Sequence, residues 1–120
     1  MALEHARSQV VDIPIMINGE KITTKDVRYQ TMPHDHQHKI AKFYYADSKL
    51  IEKAIGKCVE AQKKWDKVPL KERVAIYEKA ADLMAGKYRQ KLNAATMLGQ
   101  SKTAIQAEID AAAELIDFLR

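Results

Sequence analysis

Apolar and polar residues alternate over residues 11–17, which is the pattern of a β-strand with one buried face. The pair Asn18-Gly19 follows directly and favours a hairpin, because a type I′ turn needs two positive φ angles. We therefore predict a strand over residues 11–17 and a return strand over residues 20–23. Pro14 cannot donate to a ladder, so it should lie on an edge or at an unpaired position. A further strand is predicted over residues 40–45.

From residue 47 onward the apolar residues recur at intervals of three and four, which predicts helices. Asp47 should cap the first helix, and Pro69 should occupy the first position of the second. Gly86 should interrupt that helix, and Gly99 should supply the left-handed C-cap of the third. The first helix has an apolar face, which comprises Ile51, Ala54, Ile55, Cys58, Gln62 and Trp65. We divide the chain into an extended N-terminal arm, 1–46, and a helical part, 47–120.

The last predicted helix, residues 102–120, is apolar on most of its circumference. One stripe, which we expect to be core, comprises Ile105, Ile109, Ala112, Ile116 and Leu119. A second stripe on nearly the opposite side comprises Ala104, Ala107, Ala111 and Phe118. Such a helix must be buried against other elements, so we expect it to be packed on two sides. It reaches Arg120 without a stop residue, which suggests a piece of a longer protein.

The composition narrows the possible partners. Twenty basic and 16 acidic residues give a net charge of +4, and they alternate along helical faces as on a solvated surface. Nucleic acid is therefore not indicated as a partner. A membrane partner is not indicated either, because no run approaches about 18 apolar residues. The single cysteine excludes a disulfide framework within the chain.

Candidate reactive residues are few. Cys58 shares the apolar face of the first helix, so we expect an inert, buried thiol and not a nucleophile. His34, His36 and His38 alternate and could share one face of a strand, but the neighbouring Pro33 favours a loop, and we predict no metal site there. The four glycines form no Gly-x-Gly cluster that could cradle a pyrophosphate. No catalytic or cofactor-binding residue is predicted in this chain.

Several segments resemble those of one known family. They are the run GQSKT at residues 99–103, the stretch IQAEIDAAAELIDFLR that follows at 105–120, VRYQ at 27–30, PHDHQH at 33–38, AKFYYAD at 41–47 and KWD at 64–66. Together they are similar to the mitochondrial delta-1-pyrroline-5-carboxylate dehydrogenases of the aldehyde dehydrogenase superfamily. The combination of AKFYYAD with QAEIDAAAELIDF narrows the resemblance to this branch.

The resemblance implies an α/β parent enzyme with the aldehyde dehydrogenase fold. This chain would supply an N-terminal hairpin, a short strand and about four helices of the cofactor-binding domain. The parent would oxidise L-glutamate gamma-semialdehyde to L-glutamate with NAD during proline catabolism. The nucleophilic cysteine and the NAD-binding residues would lie beyond Arg120, so the 120 residues alone should be inactive.

The resemblance also implies one site residue and a cellular setting. Periodicity alone favours a solvated carboxylate at Glu114, on the border of a narrow polar arc. Its place in AAAELIDF instead implies substrate binding at the aldehyde pocket. The family further implies a homo-oligomer in the mitochondrial matrix, with any targeting segment outside this chain. Two alternatives stay open, namely a noncatalytic helical interaction module and the same segment of another aldehyde dehydrogenase.

Overall fold

The computed structural model describes residues 1–120 as two small sheets and a group of helices. In chain order the elements are α1 (Ala2–Arg7), β1 (Val11–Ile13), β2 (Ile15–Ile17), β3 (Glu20–Ile22), β4 (Val27–Met32), β5 (Asp35–Tyr44), α2 (Ser48–Trp65), α3 (Leu70–Ala85), α4 (Arg89–Gln100), α5 (Ala104–Ala107), a π-helical segment (Glu108–Ala113) and α6 (Glu114–Leu119). The predicted order of strands followed by helices is confirmed from Val11 onward, whereas helix α1, which precedes the strands, was not predicted. None of the helices has the length and hydrophobicity needed to cross a membrane.

The predicted hairpin is present, but the strand leading into it is divided. Asn18 and Gly19 have φ angles of 51° and 80°, and β2 pairs antiparallel with β3 through Ile17 and Glu20. Pro14 separates β1 from β2 because its nitrogen has no hydrogen to donate to a ladder. Strand β1 therefore joins a different sheet, where it pairs parallel with β5.

Strand β5 is the centre of a three-stranded sheet of order β1-β5-β4. The predicted strand over residues 40–45 is the last part of this ten-residue strand. The predicted loop after Pro33 is wrong, because residues 35–38 already belong to β5. Two register shifts near Thr31 let the polar segment pair with β4. Polar side chains on this exposed stretch hid the strand from the hydrophobic pattern.

The start of α2 and the end of α3 follow their predicted signals. The Asp47 side chain accepts a hydrogen bond of 2.8 Å from the backbone nitrogen of Leu50, which caps α2. Helix α3 ends at Ala85, directly before Gly86. Pro69 lies one position earlier than predicted, at the N-cap of α3.

The end of α4 differs from the prediction. Gly99 lies inside the helix, and Ser101 is the residue in the left-handed conformation, with φ of 54°. This conformation is uncommon for a residue with a side chain. A hydrogen bond of 2.6 Å between the Ser101 hydroxyl and Nδ1 of His34 holds it in place.

The stretch from Ala104 to Leu119 is not a uniform α-helix. It begins at a capping box formed by Thr103 and Gln106, and it widens into the π-helical segment. A π-helix bonds residues five apart, and Ala107 and Ala112, which have this spacing, are both fully buried, with Ile116 buried four residues further on. In a uniform α-helix, residues five apart would point about 140° away from each other.

The π-helical segment overturns the predicted core stripe in part. Ala112 and Ile116 are buried against Ala81 of α3, as expected for core residues. Ile105 and Ile109 are 75% and 51% exposed, so their assignment to the core is wrong for this chain. The last helix does pack on two neighbours, α4 at its start and α3 at its end, and Ala107 of the second stripe is fully buried, whereas Phe118 of that stripe is 86% exposed.

The chain is more open than a folded monomer of its size. Its Cα radius of gyration is 17.1 Å, against about 14 Å for a compact domain of this length. Its accessible surface is 9148 Å², against about 6,600 Å² for a folded monomer of this mass. Helices α2 and α3 contribute to the excess through exposed apolar residues that include Ile51, Ile55, Val59, Leu70, Val74, Ile76 and Tyr77.

We predict that Ile116→Ala lowers the free energy of unfolding by about 2 to 5 kcal/mol, because it leaves a cavity beside Ala81. Ile105→Ala is the matched control, and it should change the free energy of unfolding by less than about 0.5 kcal/mol because the side chain is exposed. Urea unfolding followed by circular dichroism measures both. Equal losses from the two variants would contradict the burial pattern.

Candidate functional site

The carboxylate of Glu108 binds the π-helical segment to α4. Glu108, the first residue of that segment, accepts a hydrogen bond of 2.7 Å on Oε1 from Nε of Arg89. Nη2 of Arg89 also contacts Oε1, and Nδ2 of Asn93 donates to Oε2. Arg89 and Asn93 are one helical turn apart on α4 and thus present their donors on the same side. We call Arg89, Asn93 and Glu108 the carboxylate clamp.

The clamp stabilises Glu108 in its ionised form. Hydrogen bonds from Arg89 and Asn93, together with the charge of Arg89, lower the pKa of Glu108. The same contacts with Glu108 raise the pKa of Arg89. The side chains of Arg89 and Glu108 are both 38% exposed, so this ion pair is partly shielded from water.

Glu114, the predicted substrate-binding residue, follows the π-helical segment directly as the first residue of α6. It is exposed, whereas Ile116 on the same helix is buried against α3. Two ion pairs flank it, Lys102 with Asp110 and Arg120 with Asp82, and neither involves the Glu114 carboxylate. Its role in substrate binding stays a prediction.

Cys58 is exposed on α2, so its predicted burial is wrong. Its neighbours in a shallow groove include Lys57, Glu60 and Trp65, and no histidine lines that groove. The apolar face that should have buried the thiol has no covering element within this chain. The groove thus offers no histidine to activate a cysteine nucleophile.

The three alternating histidines do not form a cluster. Nδ1 of His34 bonds to Ser101, and Nε2 of His38 lies 2.8 Å from the backbone oxygen of Arg7. No three His, Cys, Asp or Glu side chains come together as a group that could hold a metal ion. The histidines instead connect the sheet to α4 and α1.

A family model described as the aldehyde dehydrogenase family matches residues 22–120. The chain belongs to the aldehyde dehydrogenase family. It is 52% identical to the mitochondrial delta-1-pyrroline-5-carboxylate dehydrogenase of Rattus norvegicus and 50% identical to that of Bos taurus, each over 119 residues. Each match covers 99% of this chain and 21% of the relative. The chain therefore spans about a fifth of the length of these proteins.

Solved structures of the family have the same fold as this chain. The delta-pyrroline-5-carboxylate dehydrogenase of Mycobacterium tuberculosis, solved with NAD bound, matches with a TM-score of 0.95 and 38% identity. The match covers 99% of this chain and 22% of that one. A 1-pyrroline-5-carboxylate dehydrogenase of Thermus thermophilus, solved as a mutant, matches with a TM-score of 0.93 and 28% identity over 98% of this chain and 23% of that one. The open arrangement of elements in this chain is thus that of a segment of aldehyde dehydrogenases.

The carboxylate clamp escaped sequence reasoning, although a signal for it exists. Glu108 lies between Ala107 and Ile109 on a helix that is apolar over most of its circumference, and a charge beside a buried alanine needs a partner. Arg89 and Asn93 have the i, i+4 spacing of residues that can share one partner. Which carboxylate they would meet depends on how α4 packs against the last helix, and periodicity does not give that packing.

We predict that Glu108→Gln destabilises the protein in a pH-dependent way. The pKa of Glu108 is lowered by folding, so its contribution is fully present above the unfolded value of about 4.3. That contribution should disappear as the pH falls through the lower, folded pKa. Urea unfolding of the wild type and the variant from pH 7 to pH 3 should show a difference that shrinks below about pH 4.

Asp117→Asn, which removes an exposed carboxylate from α6, is the control for a change in net charge. A difference between wild type and Glu108→Gln that stays constant over the whole pH range would contradict a charged clamp.

Proposed function

We propose that this chain is the N-terminal part of an NAD-dependent dehydrogenase that oxidises L-glutamate gamma-semialdehyde to L-glutamate in proline catabolism. The main supporting observation is the match over 99% of the chain to pyrroline-5-carboxylate dehydrogenases, at 50–52% identity to the two mammalian proteins. The TM-score of 0.95 against an NAD-bound member adds to it. On this proposal the nucleophilic cysteine and the NAD-binding residues lie beyond Arg120.

The open surface of the chain fits this role. Its accessible area exceeds that of a folded monomer of its mass by roughly 2,500 Å², within the range that permanent interfaces bury. The bare apolar faces of α2 and α3 would pack on the remainder of the enzyme. Residues 47–120 would be part of the cofactor-binding domain, and residues 1–46 its peripheral arm.

Glu114 is the residue of this chain that we propose to meet the aldehyde substrate. Its carboxylate is exposed and outside the neighbouring ion pairs, so it can accept a hydrogen bond from a ligand. L-glutamate gamma-semialdehyde carries an ammonium group that can donate such a bond. Simple aliphatic aldehydes have no such group, so Glu114 would favour the amino-acid aldehyde over them.

We also propose that the full protein forms a homo-oligomer and resides in the mitochondrial matrix. The cow and rat relatives are mitochondrial proteins, which supports a mitochondrial location for this one. The assembly rests on the family resemblance. Size-exclusion chromatography with light scattering and fractionation of mitochondria would test the two proposals.

The second candidate function is a noncatalytic helical module that binds another protein through its apolar faces. The observation that favours it is the same exposure of α2, α3 and Phe118. The two candidates differ in what the coding sequence holds after the codon for Arg120. A cysteine-centred nucleophile motif and a further few hundred residues would support the enzyme, whereas a stop codon there would support the module.

We predict that the full-length protein reduces NAD with L-glutamate gamma-semialdehyde and that residues 1–120 alone do not. The reason is that Cys58, the single thiol of the 120 residues, lies in a groove with no histidine, and the four glycines form no cluster for a pyrophosphate. NADH formation followed by its absorbance measures both proteins. NADH formation by the pure 120-residue chain would overturn the assignment of the chemistry to later residues.

We predict that Glu114→Ala lowers kcat/KM for the semialdehyde by about 10-fold or more in the full-length protein, with little change in Tm. The side chain is exposed, so its loss removes a substrate contact and no packing. Asp117→Ala, on the same helix, is the matched control and should leave kcat/KM within about twofold. A lowered Tm with unchanged kinetics would show that Glu114 has a structural role instead.

A further inference from the structure

Glu108 lies at the start of the π-helical segment, and Glu114 is the first residue after it. The five residues from Ile109 to Ala113 therefore separate the carboxylate bound by α4 from the carboxylate proposed to meet substrate. A turn of π-helix is rare within an α-helix and persists where its surroundings hold it. The carboxylate clamp is the polar contact that holds its first residue.

A change of the segment to α-helix would alter the direction of the residues beyond it. In the observed form Ala107 and Ala112 are both fully buried, although five residues separate them. A uniform α-helix would turn them about 140° apart, so one of them would leave its contact or α6 would rotate. Such a rotation would move Glu114 with it.

We propose that Glu108 is a positioning residue: held by Arg89 and Asn93, it fixes the π-helical segment on α4 and thereby the direction in which Glu114 faces the substrate. This inference rests on the proposed function. Both oxygens of Glu108 are occupied by donors from α4, so Glu108 does not itself contact the aldehyde. The same donors lower the pKa of Glu108, so the clamp favours the charged carboxylate that they bind.

Asp110 provides a matched comparison within the same segment. Its side chain is 41% exposed, close to the 38% of Glu108, and it also forms one ion pair. Its partner is Lys102, in the loop before α5, and not a residue of α4. Asp110→Asn therefore removes the same charge and a comparable ion pair without releasing the segment from α4.

The experiment compares full-length Glu108→Gln and Asp110→Asn with two aldehydes, L-glutamate gamma-semialdehyde and propanal. We expect Glu108→Gln to lower kcat/KM for the semialdehyde by about 10- to 100-fold, because misplaced binding groups cost that much. Propanal has no ammonium group for Glu114, so its kcat/KM should change by less than about threefold. Asp110→Asn should leave both values within about twofold of the wild type.

A double-mutant cycle separates positioning from a general effect on the fold. If Glu108 acts through Glu114, then Glu108→Gln should add no further loss to Glu114→Ala. Asn93→Ala removes one donor and also an oxygen, Oδ1, that is buried without a partner, so this variant should fold even if Glu108→Gln fails to fold. It should lower kcat/KM for the semialdehyde in the same direction by a smaller factor.

Additive losses, equal losses with both aldehydes, or a lowered Tm with unchanged kinetics would overturn the positioning role and leave the proposed function intact. A full-length wild-type enzyme that oxidises propanal but not the semialdehyde would instead refute the proposed function, and the inference with it.

Discussion

Close contact between helices at alanine is the constraint on which this structure depends. Four of the nine buried residues are alanines, namely Ala81, Ala94, Ala107 and Ala112. A side chain of one carbon lets helix axes approach closely, but each contributes only about 0.8 kcal/mol of burial free energy. The helices are thus closely spaced and weakly held. Any larger residue at these positions would push α3, α4 and the last helix apart.

This weak packing explains why polar contacts join so many of the elements. The carboxylate clamp joins α4 to the π-helical segment, and the ion pair of Arg120 with Asp82 joins the chain end to α3. The hydroxyl of Tyr44 donates to Asp12, 2.9 Å away, and so ties β5 to β1. Helix α2 has the least support, because it is joined to the hairpin by the ion pair of Lys53 with Glu20, and both of these side chains are exposed. Such pairs contribute little in water, so α2 depends on whatever covers its apolar face.

The sequence predicted those features that local chemistry decides. Asn18-Gly19 determines the hairpin turn, Asp47 caps α2, and Gly86 marks the end of α3. Each of these residues acts through its own backbone or that of near neighbours in the sequence. The family followed from short segments such as AKFYYAD that resemble those of known members, and this comparison needs no knowledge of packing.

Features that depend on distant residues were not predicted correctly. Cys58 and Ile109 were expected in a core because periodicity shows which face is apolar, not whether anything covers it. The left-handed residue was placed at Gly99 because glycine favours that conformation, whereas a hydrogen bond to His34 holds Ser101 there. The carboxylate clamp and the π-helical segment had no local signal strong enough to be found.

The π-helical segment affects which insertions and deletions this region can tolerate during evolution. A wide turn of this kind is what remains when one residue is inserted into an α-helix, and losing one residue would close it again. Between Glu108 and Ala113, therefore, the chain can lose one amino acid by closing the wide turn, and α6 then keeps the side on which it packs. The same loss in a regular α-helix would turn everything that follows by about 100°. This segment is thus the place where the length of the helix can change by one codon without turning α6 and its carboxylates to a new side of the molecule.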